Sequence, residues 1–401
     1  MNILYFHQHF STPKGATGTR SYEFAKKLIK RGHEVTIVCG SYWIAETGLT
    51  GAFVRGRRKG TVSGIKVIEI QLEYSNSDSF FWRTLIFFRY SLSSIKIALK
   101  ENYDILFATS TPLTAGIPGV FAKLFRGKTF IFEVRDLWPE LPKAMKVITN
   151  PIILKLMDWL ETIVYKTATA CIGLSPGIVD GIKKKTPNKK VAMIPNGCDL
   201  NLVYNVTKNT KNKKFIAVFT GAHGFANGLD AVLDAAKILI QNGENNIEIQ
   251  FIGDGILKPM LMKRVQLEKI NNCKFMNPMS KDDLFNYLQK EASVGLMILD
   301  DIPAFYFGTS PNKFFDYIAL GLPVINNYPG WLAEIITDHN CGLVIKPGNP
   351  ESFSEALIAM KSNRASLNRM GENAKKLAAS DFDRNKLSDQ LVDFLVTNID
   401  K

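Results

Sequence analysis

The sequence predicts an α/β protein built from two doubly wound domains. At 401 residues, 46% of them apolar, the chain exceeds what one compact core usually supports. Short apolar runs alternate with amphipathic segments along its length, which is typical of parallel sheets covered by helices. Glycine-rich turns follow several of these runs, where ligands collect in such folds. We therefore expect two α/β domains, each with a full core.

The domain boundary is expected near residue 205. The segment 170–199 has the pattern of strand, helix and strand, with a helix start at Ser175-Pro176-Gly177, and ends in the turn Ile194 to Gly197. The polar stretch Tyr204 to Lys214 has few apolar anchors and is typical of a linker. We assign residues 1–204 to a first domain, 205–380 to a second, and 381–401 to a terminal amphipathic helix.

The cysteines and the first residues indicate a reducing, cytosolic compartment. Five cysteines are scattered without a C-x-x-C pair, which favours free thiols over disulfides or zinc. The opening MNILYFHQHF has no basic n-region and no cleavage site, so it is predicted to be a buried first strand and not a signal peptide.

The positive charge lies entirely in the first half. Residues 1–200 contain 28 Lys and Arg against 15 Asp and Glu, a net +13, whereas residues 201–401 contain 22 of each. A basic half of this kind is expected to bind phosphate groups, either in nucleic acid or at an anionic membrane surface. Because no nucleic-acid recognition module is present, we expect no nucleic-acid partner.

One amphipathic segment, Phe80 to Lys100, is the candidate for membrane contact. As a helix it would place Phe88 among apolar side chains on one side and Arg89 and Lys96 on another. Because Arg83, Arg89 and Lys96 interrupt the run too often for a spanning helix, an interfacial helix is the membrane interpretation. A core-packed amphipathic helix remains the alternative. The basic loop Arg55, Arg57, Arg58 and Lys59 could lie on the same face.

Two constellations of candidate site residues lie in the first half. The turn Lys14 to Gly18 joins the strand Ile3 to Phe6 to a helix from about Arg20 to Lys30, and such a glycine loop can bring backbone N–H groups to a phosphate. The segment Phe130 to Pro142 is a strand that ends in charged residues, at an edge where ligands collect. The alternative there is a salt bridge that closes a loop. These candidates are Gly15, Gly18, Arg20, Glu133, Arg135, Asp136 and Glu140.

The segment Gly308 to Asn326 is predicted to hold a phosphate. Ser310 is an expected N-cap and Pro311 the expected first helical residue of a helix that follows the strand Val294 to Leu299. The positive helix N-terminus and Lys313 would face the carboxyl edge of a parallel sheet and favour a phosphate. Asp316, one turn on, could bind ribose hydroxyls. An ordinary capped helix is the alternative.

Three further turns of the second half are expected at the same edge of its sheet. They follow the strands Phe215 to Thr220, Ile247 to Ile252 and Cys273 to Met276. Because ligands collect at the carboxyl ends of parallel strands, these turns are binding candidates. Their candidate residues are Gly221, His223 and Gly253.

The stretch GTSPNKFFDYIALGLPVIN resembles the donor-site signature of family 4 glycosyltransferases, retaining enzymes of the GT-B fold that use a sugar nucleotide. The family pattern has two acidic residues eight positions apart, and here Asp316 matches the second, which binds ribose, while Gly308 replaces the first. The family's arginine and lysine in the turn after the second domain's first strand are replaced by Ala222 and Asn227. Thr309, Ser310, Pro311 and Asn312 are the expected substitute contacts to the donor.

The resemblance implies a fold of two Rossmann-like domains facing a cleft, with the last helix crossing back to the first domain. It implies donor contacts by Gly15, by Asn227 and by the second-half candidates above, with the base, uracil by analogy, recognised at Met276 and Asn277. It also implies acceptor-side roles for Gly18, Arg20, Glu133 and Arg135. Asp136 and Lys313 are the catalytic candidates. No cofactor is expected, and no metal, because no carboxylate cluster has ligand spacing.

The motif E-x-R-D-L-W-P-E, beginning at Glu133, resembles the subgroup that builds O-antigen and other surface polysaccharides. The strongest resemblance is to transferases of N-acetyl-L-fucosamine. A UDP-sugar donor, an undecaprenyl-pyrophosphate-linked sugar acceptor and an anionic membrane surface, at the inner face of the bacterial cytoplasmic membrane, are the partners it implies. A nucleotide-sugar epimerase of the same fold and a non-catalytic membrane-bound partner subunit are the alternatives.

Overall fold

The structure is a computed structural model that describes residues 1–42, 44–74, 78–203 and 214–399. The chain divides into two compact units. The first comprises Met1–Pro195, Gly308–Ser310 and Asn385–Lys401, and the second comprises Asn196–Phe307 and Pro311–Arg384. The expected boundary near residue 205 and the linker up to residue 213 lie outside the described residues.

The first unit is built on an eight-stranded sheet with the order β3-β4-β2-β1-β5-β6-β7-β8. Its neighbours pair in parallel except for β3 and β4, which form an antiparallel hairpin at one edge. The central strands are buried on both faces, which explains their unbroken apolar runs. The strands are β1 Asn2–Phe6, β2 Glu34–Tyr42, β3 Arg57–Val62, β4 Ile65–Tyr74, β5 Ile105–Thr109, β6 Thr129–Val134, β7 Ala170–Gly173 and β8 Lys190–Met193.

Helices cover both faces of this sheet. They are α1 Arg20–Lys30, α2 Phe80–Lys100, α3 Ile117–Arg126, α4 Glu140–Ala144, α5 Pro151–Thr167 and α6 Pro176–Lys185. The apolar sides of α2, α3, α5 and α6 pack on one face, and α1 packs on the other. Local signals start two of them: the Asn150 side chain accepts hydrogen bonds from the first N–H groups of α5, and Ser175 caps α6.

The second unit is a six-stranded, all-parallel sheet with the order β11-β10-β9-β12-β13-β14. Its strands are β9 Phe215–Thr220, β10 Ile247–Ile252, β11 Cys273–Met276, β12 Val294–Met297, β13 Val324–Asn326 and β14 Gly342–Val344. Its helices are α7 Leu229–Gln241, α8 Lys258–Leu267, α9 Lys281–Glu291, α10 Ala304–Gly308, α11 Asn312–Ala319, α12 Trp331–Asp338, α13 Pro350–Ser362 and α14 Arg364–Ser380.

The last helix, α15 Arg384–Thr397, returns to the first unit. Its buried side chains Leu387, Leu391 and Leu395 join the core under α1. Ion pairs from Arg31 to Asp389 at 3.1 Å and to Asp393 at 2.9 Å add to this packing at the surface. The predicted return of the C-terminal helix is thus confirmed.

The fold class predicted from the sequence is confirmed, since both units are parallel-sheet Rossmann-like α/β domains. The strands β9, β10 and β11 have the predicted bounds, as do α1 and α2. One local prediction is wrong: α11 begins at Asn312 with Pro311 at the N-cap, so Ser310 does not cap it. Among the described residues, no helix combines the length and apolarity needed to cross a membrane.

Candidate functional site

The turns after β9 and β10 form the floor of the candidate site in the second unit. Gly221 and Gly253 have φ angles of 125° and 149°, and a Cβ on Gly253 would lie 1.9 Å from the Gly221 carbonyl oxygen. The Gly221 N–H donates to the Ile252 oxygen at 2.9 Å. Only glycine permits this approach of two strand ends, so both predicted glycines are required to shape the site.

Lys313, in the first turn of α11, supplies the positive charge of this site. Its Nζ lies 3.5 Å from where a Gly221 Cβ would be, 3.4 Å from Asn227 Oδ1 and 3.7 Å from the centre of the Phe219 ring. No carboxylate among the described residues pairs with it, and burial lowers the pKa of Lys313 to about 7. Asn227 is itself held, because its Nδ2 donates to the Ala222 oxygen at 2.8 Å. The site thus carries a cation whose charge no acidic side chain balances.

The start of α11 adds backbone donors beside Lys313. Pro311 at the N-cap has no side chain that can accept the first N–H groups, and no side-chain cap is formed. The uncapped N–H groups and the positive end of the helix favour an anion. Thr309 and Ser310, predicted as substitute donor contacts, belong to the first unit and are partly exposed. Asn312, predicted with them, is the first residue of α11.

Asp316 is buried and belongs to a charge network that the sequence analysis did not find. Its carboxylate pairs with Lys281, which also lies 3.3 Å from Asp199. Asp199 in turn pairs with Arg384, whose Nη2 donates to the Gly197 oxygen at 2.6 Å. Burial raises the pKa of Asp316 although Lys281 opposes the shift. The ion pair with Lys281 fixes the orientation of the Asp316 carboxylate. The binding of ribose by Asp316 stays a prediction.

The predicted base-recognition segment is held by Lys258, another residue that the sequence analysis missed. Lys258 Nζ donates to the Gly253 oxygen at 2.8 Å, the Met276 oxygen at 3.0 Å and Asn277 Oδ1 at 3.2 Å. These bonds join the ends of β10 and β11. Met276 is partly buried and Asn277 is exposed, so backbone and side-chain polar groups of this segment remain at the surface.

The structure corrects the prediction for His223. Its ring is fully buried and packs against Phe219, Phe251 and Phe275. Neither ring nitrogen has a hydrogen-bond partner among the described residues, and burial, followed by Lys258, lowers the pKa of His223 to about 4. His223 is therefore a neutral core residue beneath the turn and not a side chain that contacts the donor.

A second cluster of candidate site residues lies in the first unit at the ends of β1, β5 and β6. Asp136 accepts a hydrogen bond from Thr111 Oγ1 at 3.0 Å, and burial raises the pKa of Asp136 although Arg135 opposes it. Arg135 Nη1 lies 3.4 Å from Nε2 of His7, whose Nδ1 is 2.7 Å from Ser21 Oγ. Burial, and then Arg135, lowers the pKa of His7 well below its usual value. His7 was not predicted, although its position directly after β1 is a usable signal.

The structure also corrects the roles predicted for Arg20 and Glu133. Arg20 Nη2 lies 2.8 Å from Glu133 Oε2 and 2.7 Å from the Ile194 oxygen, and both side chains are buried. Thr109 Oγ1 donates to the other Glu133 oxygen at 2.7 Å. Because Arg20 and Glu133 make their hydrogen bonds to each other and to neighbouring protein groups, they connect α1 to β6 and to the chain after β8. They are therefore structural residues and not contacts to an acceptor.

The predicted glycine loop of the first unit packs against the chain after β2. A Cβ on Gly15 would lie 2.2 Å from Ser11 Oγ and 2.7 Å from the Glu46 nitrogen. Thr12 donates from its N–H to the Glu46 oxygen at 2.8 Å, which fixes the loop. This contact gives Gly15 a structural reason, whereas the donor role of Gly15 and the acceptor role of Gly18 stay predictions.

The candidate membrane helix α2 has one side in the core and one in solvent. Its own side chains Ile86, Tyr90 and Ile97 are buried in the core. Phe88 is 51% exposed, Arg89 and Lys96 are exposed, and Arg83 lies over the Tyr74 ring.

Across the described residues, no group of three or more His, Cys, Asp or Glu side chains could hold a metal ion.

Two such strand-end clusters on two Rossmann-like units are the arrangement of GT-B glycosyltransferases, and comparison with known proteins agrees. Two protein-family models match: Glycosyltransferase Family 4 over residues 17–202 and Glycosyl transferases group 1 over residues 205–377. Between them they span most of the chain. The protein therefore belongs to the GT-B glycosyltransferases, with a family 4 first half and a group 1 second half.

Similar individual proteins share the fold or part of the sequence. The O-antigen chain mannosyltransferase C of Escherichia coli is 21% identical over 259 residues, which cover 63% of this chain and 67% of that protein. A sucrose-phosphate synthase of Thermosynechococcus elongatus superposes with a TM-score of 0.78 at 15% identity, covering 99% of this chain and 98% of that one. WaaG, a glycosyltransferase of lipopolysaccharide biosynthesis, gives 0.70 at 16%, covering 98% and 99%. Anabaena HepE, solved with UDP-glucose, gives 0.68 at 14%, covering 99% and 100%.

Proposed function

We propose that this glycosyltransferase moves a hexosyl group from a UDP-sugar, with retention of configuration and without a metal ion, to a lipid-linked pyrophosphate sugar. The product belongs to O-antigen or a related surface polysaccharide. Among the hexosyl groups, our first candidate for the transferred sugar is N-acetyl-L-fucosaminyl. The observation that carries the proposal is Lys313, a cation without a carboxylate partner among the described residues, next to the Gly221 turn and Asn227.

The donor half of the reaction follows from the charges around Lys313. A diphosphate leaving group gains negative charge as the glycosidic bond breaks, and fixed positive groups at that point lower the barrier. Lys313 and the uncapped N–H groups of α11 supply these charges. Each charge-assisted hydrogen bond contributes roughly 1.5 to 3 kcal/mol when desolvated. They replace the two cations that family members carry where this chain has Ala222 and Asn227.

The acceptor half of the reaction is assigned to Asp136. Its carboxylate is partly buried, is held by Thr111, and lies next to Arg135 in sequence. A carboxylate whose pKa is raised by burial is suited to accept a hydrogen bond from an attacking hydroxyl or to steady positive charge at the anomeric carbon. Arg135, placed by its contact with His7, supplies a cation for an acceptor phosphate.

An exposed apolar surface on the first unit supports the proposal of a lipid-linked acceptor. On α2, Phe81, Phe88 and Leu92 are between 51% and 76% exposed. The adjoining helix α3, which packs against both α2 and α5, exposes Leu124 and Phe125, and α5 exposes Ile152, Leu156 and Trp159. An apolar surface of this kind with cations around it is typical of proteins that lie on an anionic bilayer. The placement at the inner face of the cytoplasmic membrane is part of this proposal.

Similar proteins support the substrate classes. One relative is named as an O-antigen mannosyltransferase, WaaG is named in lipopolysaccharide biosynthesis, and the HepE structures contain UDP or UDP-glucose. These names favour a hexosyl donor activated by a nucleotide and an acceptor of the cell envelope.

A donor screen tests the proposal. Purified protein is incubated with each of several UDP-hexoses, UDP-N-acetylhexosamines and GDP-mannose, together with membranes that supply lipid acceptors, and the lipid product is read by its mass shift. A product with a UDP-sugar supports the proposal, and a product only with GDP-mannose overturns the UDP assignment. An epimer formed without acceptor would instead show the isomerase alternative, and UDP binding without any product would show the non-catalytic one.

A further inference from the structure

A pocket on the first unit, outside both clusters, is rich in cationic side chains. Its volume is about 680 Å³, and it lies between the hairpin of β3 and β4, the chain just before it, and α2. The lining contains no Asp or Glu. Its cations are Arg55, Arg57, Arg58, Lys59 and Arg89.

Two of these cations are neutralised by nearby carboxylates and three are not. Arg58 Nε lies 2.8 Å from Glu69, and Lys59 Nζ lies 3.3 Å from Glu101. Among the described residues, Arg55, Arg57 and Arg89 pair with no carboxylate. Like charges that share one cavity repel each other, and an anion between them removes that cost. The pocket is therefore complementary to a group with more than one negative charge.

Backbone hydrogen bonds hold the turn before β3 in a defined arrangement. Val54 and Arg57 exchange two backbone hydrogen bonds, of 2.7 and 3.1 Å, across the turn residues Arg55 and Gly56. Both turn residues have positive φ angles, 50° and 73°, which is the geometry of a tight two-residue turn. Arg57 also donates to the Ser93 oxygen on α2 at 3.5 Å. Arg57, Arg58 and Lys59 thus lie on the edge strand β3, Arg55 lies in the tight turn that precedes it, and Arg89 lies on α2.

The apolar surface of α2 begins at the rim of this pocket. Arg89, which lines the pocket, directly follows Phe88 and stands three residues before Leu92 on the same helix. Both apolar side chains are more than half exposed. An anion that is attached to a hydrocarbon chain would satisfy the pocket and this surface together.

We propose that the pocket binds the phosphate or pyrophosphate group of a membrane lipid. The lipid is either a bulk anionic phospholipid or the polyprenyl pyrophosphate that carries the acceptor sugar. The proposal rests on the proposed function for its membrane setting, but its test requires no glycosyl transfer. It assigns the lipid head group to lining residues that include neither Asp136 nor Lys313.

The experiment measures binding of the full chain to vesicles by flotation. The pocket variant is Arg55→Gln with Arg89→Gln, since neither side chain makes a hydrogen bond or ion pair among those found in the described residues. The matched control is Lys26→Gln with Lys30→Gln, two exposed lysines on α1, which packs on the opposite face of the same sheet. Vesicles contain neutral phosphatidylcholine alone, with phosphatidylglycerol, or with undecaprenyl pyrophosphate.

The expected result is a loss of about 30-fold in binding by the pocket variant, the combined effect of two cations at an anionic surface, with a much smaller loss by the control. A loss on both kinds of anionic vesicle assigns the pocket to phospholipid head groups. A loss confined to the pyrophosphate vesicles assigns it to the acceptor lipid. Equal losses by the two variants, or none, overturn the proposal.

Binding of UDP to the same variants separates this proposal from the proposed function. The pocket lies in the first unit and Lys313 in the second, so the pocket variant should bind UDP as the unmodified protein does. If the unmodified protein fails to bind any nucleotide while the vesicle results hold, the proposed function fails and the lipid pocket stands. Unchanged melting temperatures confirm that both variants are folded.

Discussion

The ammonium group of Lys313 lies 3.7 Å from the centre of the Phe219 ring, in the second unit. Phe219 is the last residue but one of β9, and Lys313 stands in the first turn of α11, so the contact joins the strand end to the helix start. A ring face attracts a cation without neutralising its charge. Lys313 is thereby held in place, and its protonated form keeps its charge for a phosphate.

Removing this charge should weaken nucleotide binding. We expect Lys313→Ala to raise the Kd for UDP by roughly 10- to 150-fold, which corresponds to a loss of about 1.5 to 3 kcal/mol. Calorimetric titration measures it. Lys263→Ala, an exposed lysine on α8 of the same unit, is the control and should bind UDP normally. An unchanged Kd for Lys313→Ala would remove Lys313 from the donor site.

The affinity for UDP should depend on pH because the pKa of Lys313 is lowered to about 7 by burial. Protonated Lys313 binds the diphosphate, so the affinity should be highest below this pKa and fall as the pH rises from 7 to 9, by at most about tenfold per pH unit. Lys313→Arg, which keeps its charge throughout, should give a flat profile. A flat profile in the unmodified protein as well would contradict the assignment.

Asp136→Asn should separate transfer from donor binding. The amide keeps the shape and can still hydrogen-bond to Thr111, but it carries no charge for the acceptor hydroxyl or the anomeric carbon. We expect the rate of transfer to fall by about 10²- to 10⁴-fold, while the Kd for UDP changes less than twofold. Single-turnover assays with saturating donor measure the rate. A variant with full activity would show that Asp136 is not catalytic.

The buried pair of Arg20 and Glu133 should be required for stability. Glu133→Gln leaves the Arg20 guanidinium buried without its counter-charge, and we expect the free energy of unfolding to fall by about 3 to 5 kcal/mol. Denaturant titration with an intrinsic fluorescence readout measures this change. The exposed pair of Lys66 and Glu34 is the comparison, and Glu34→Gln should leave the stability nearly unchanged. Equal effects of the two substitutions would mean that burial of the first pair carries no cost.

The apolar surface of α2 should contribute to membrane binding independently of charge. Phe81→Ser with Leu92→Ser should lower binding to anionic vesicles by at least tenfold, since each buried apolar side chain contributes about 1.5 to 3 kcal/mol. Leu267→Ser, at an equally exposed leucine on α8, serves as the control. If the α2 variant floats with vesicles as the unmodified protein does, α2 is not the membrane contact.

The sequence by itself determined the strands and helices and the glycine turns of the candidate site. Apolar runs predicted β9, β10 and β11 at their observed bounds, and the amphipathic pattern predicted α1 and α2, because periodicity and glycine turns are local properties. The turn of Gly221 and the helix with Lys313 could be predicted for the same reason. Local pattern failed at Ser310, because Pro311 in an extended conformation took the N-cap position.

The tertiary structure alone decided which charged groups pair. Arg20 meets Glu133, 113 residues away, and Asp316 meets Lys281 and, through it, Asp199. His223 entered an aromatic core, and the basic residues Arg55 to Lys59 met Arg89 around one pocket. Which residues meet depends on the strand order and on how the helices cross the sheet, because these bring residues together that are distant in the sequence. The sequence pattern specifies only the charge and the hydrogen-bonding groups of each side chain.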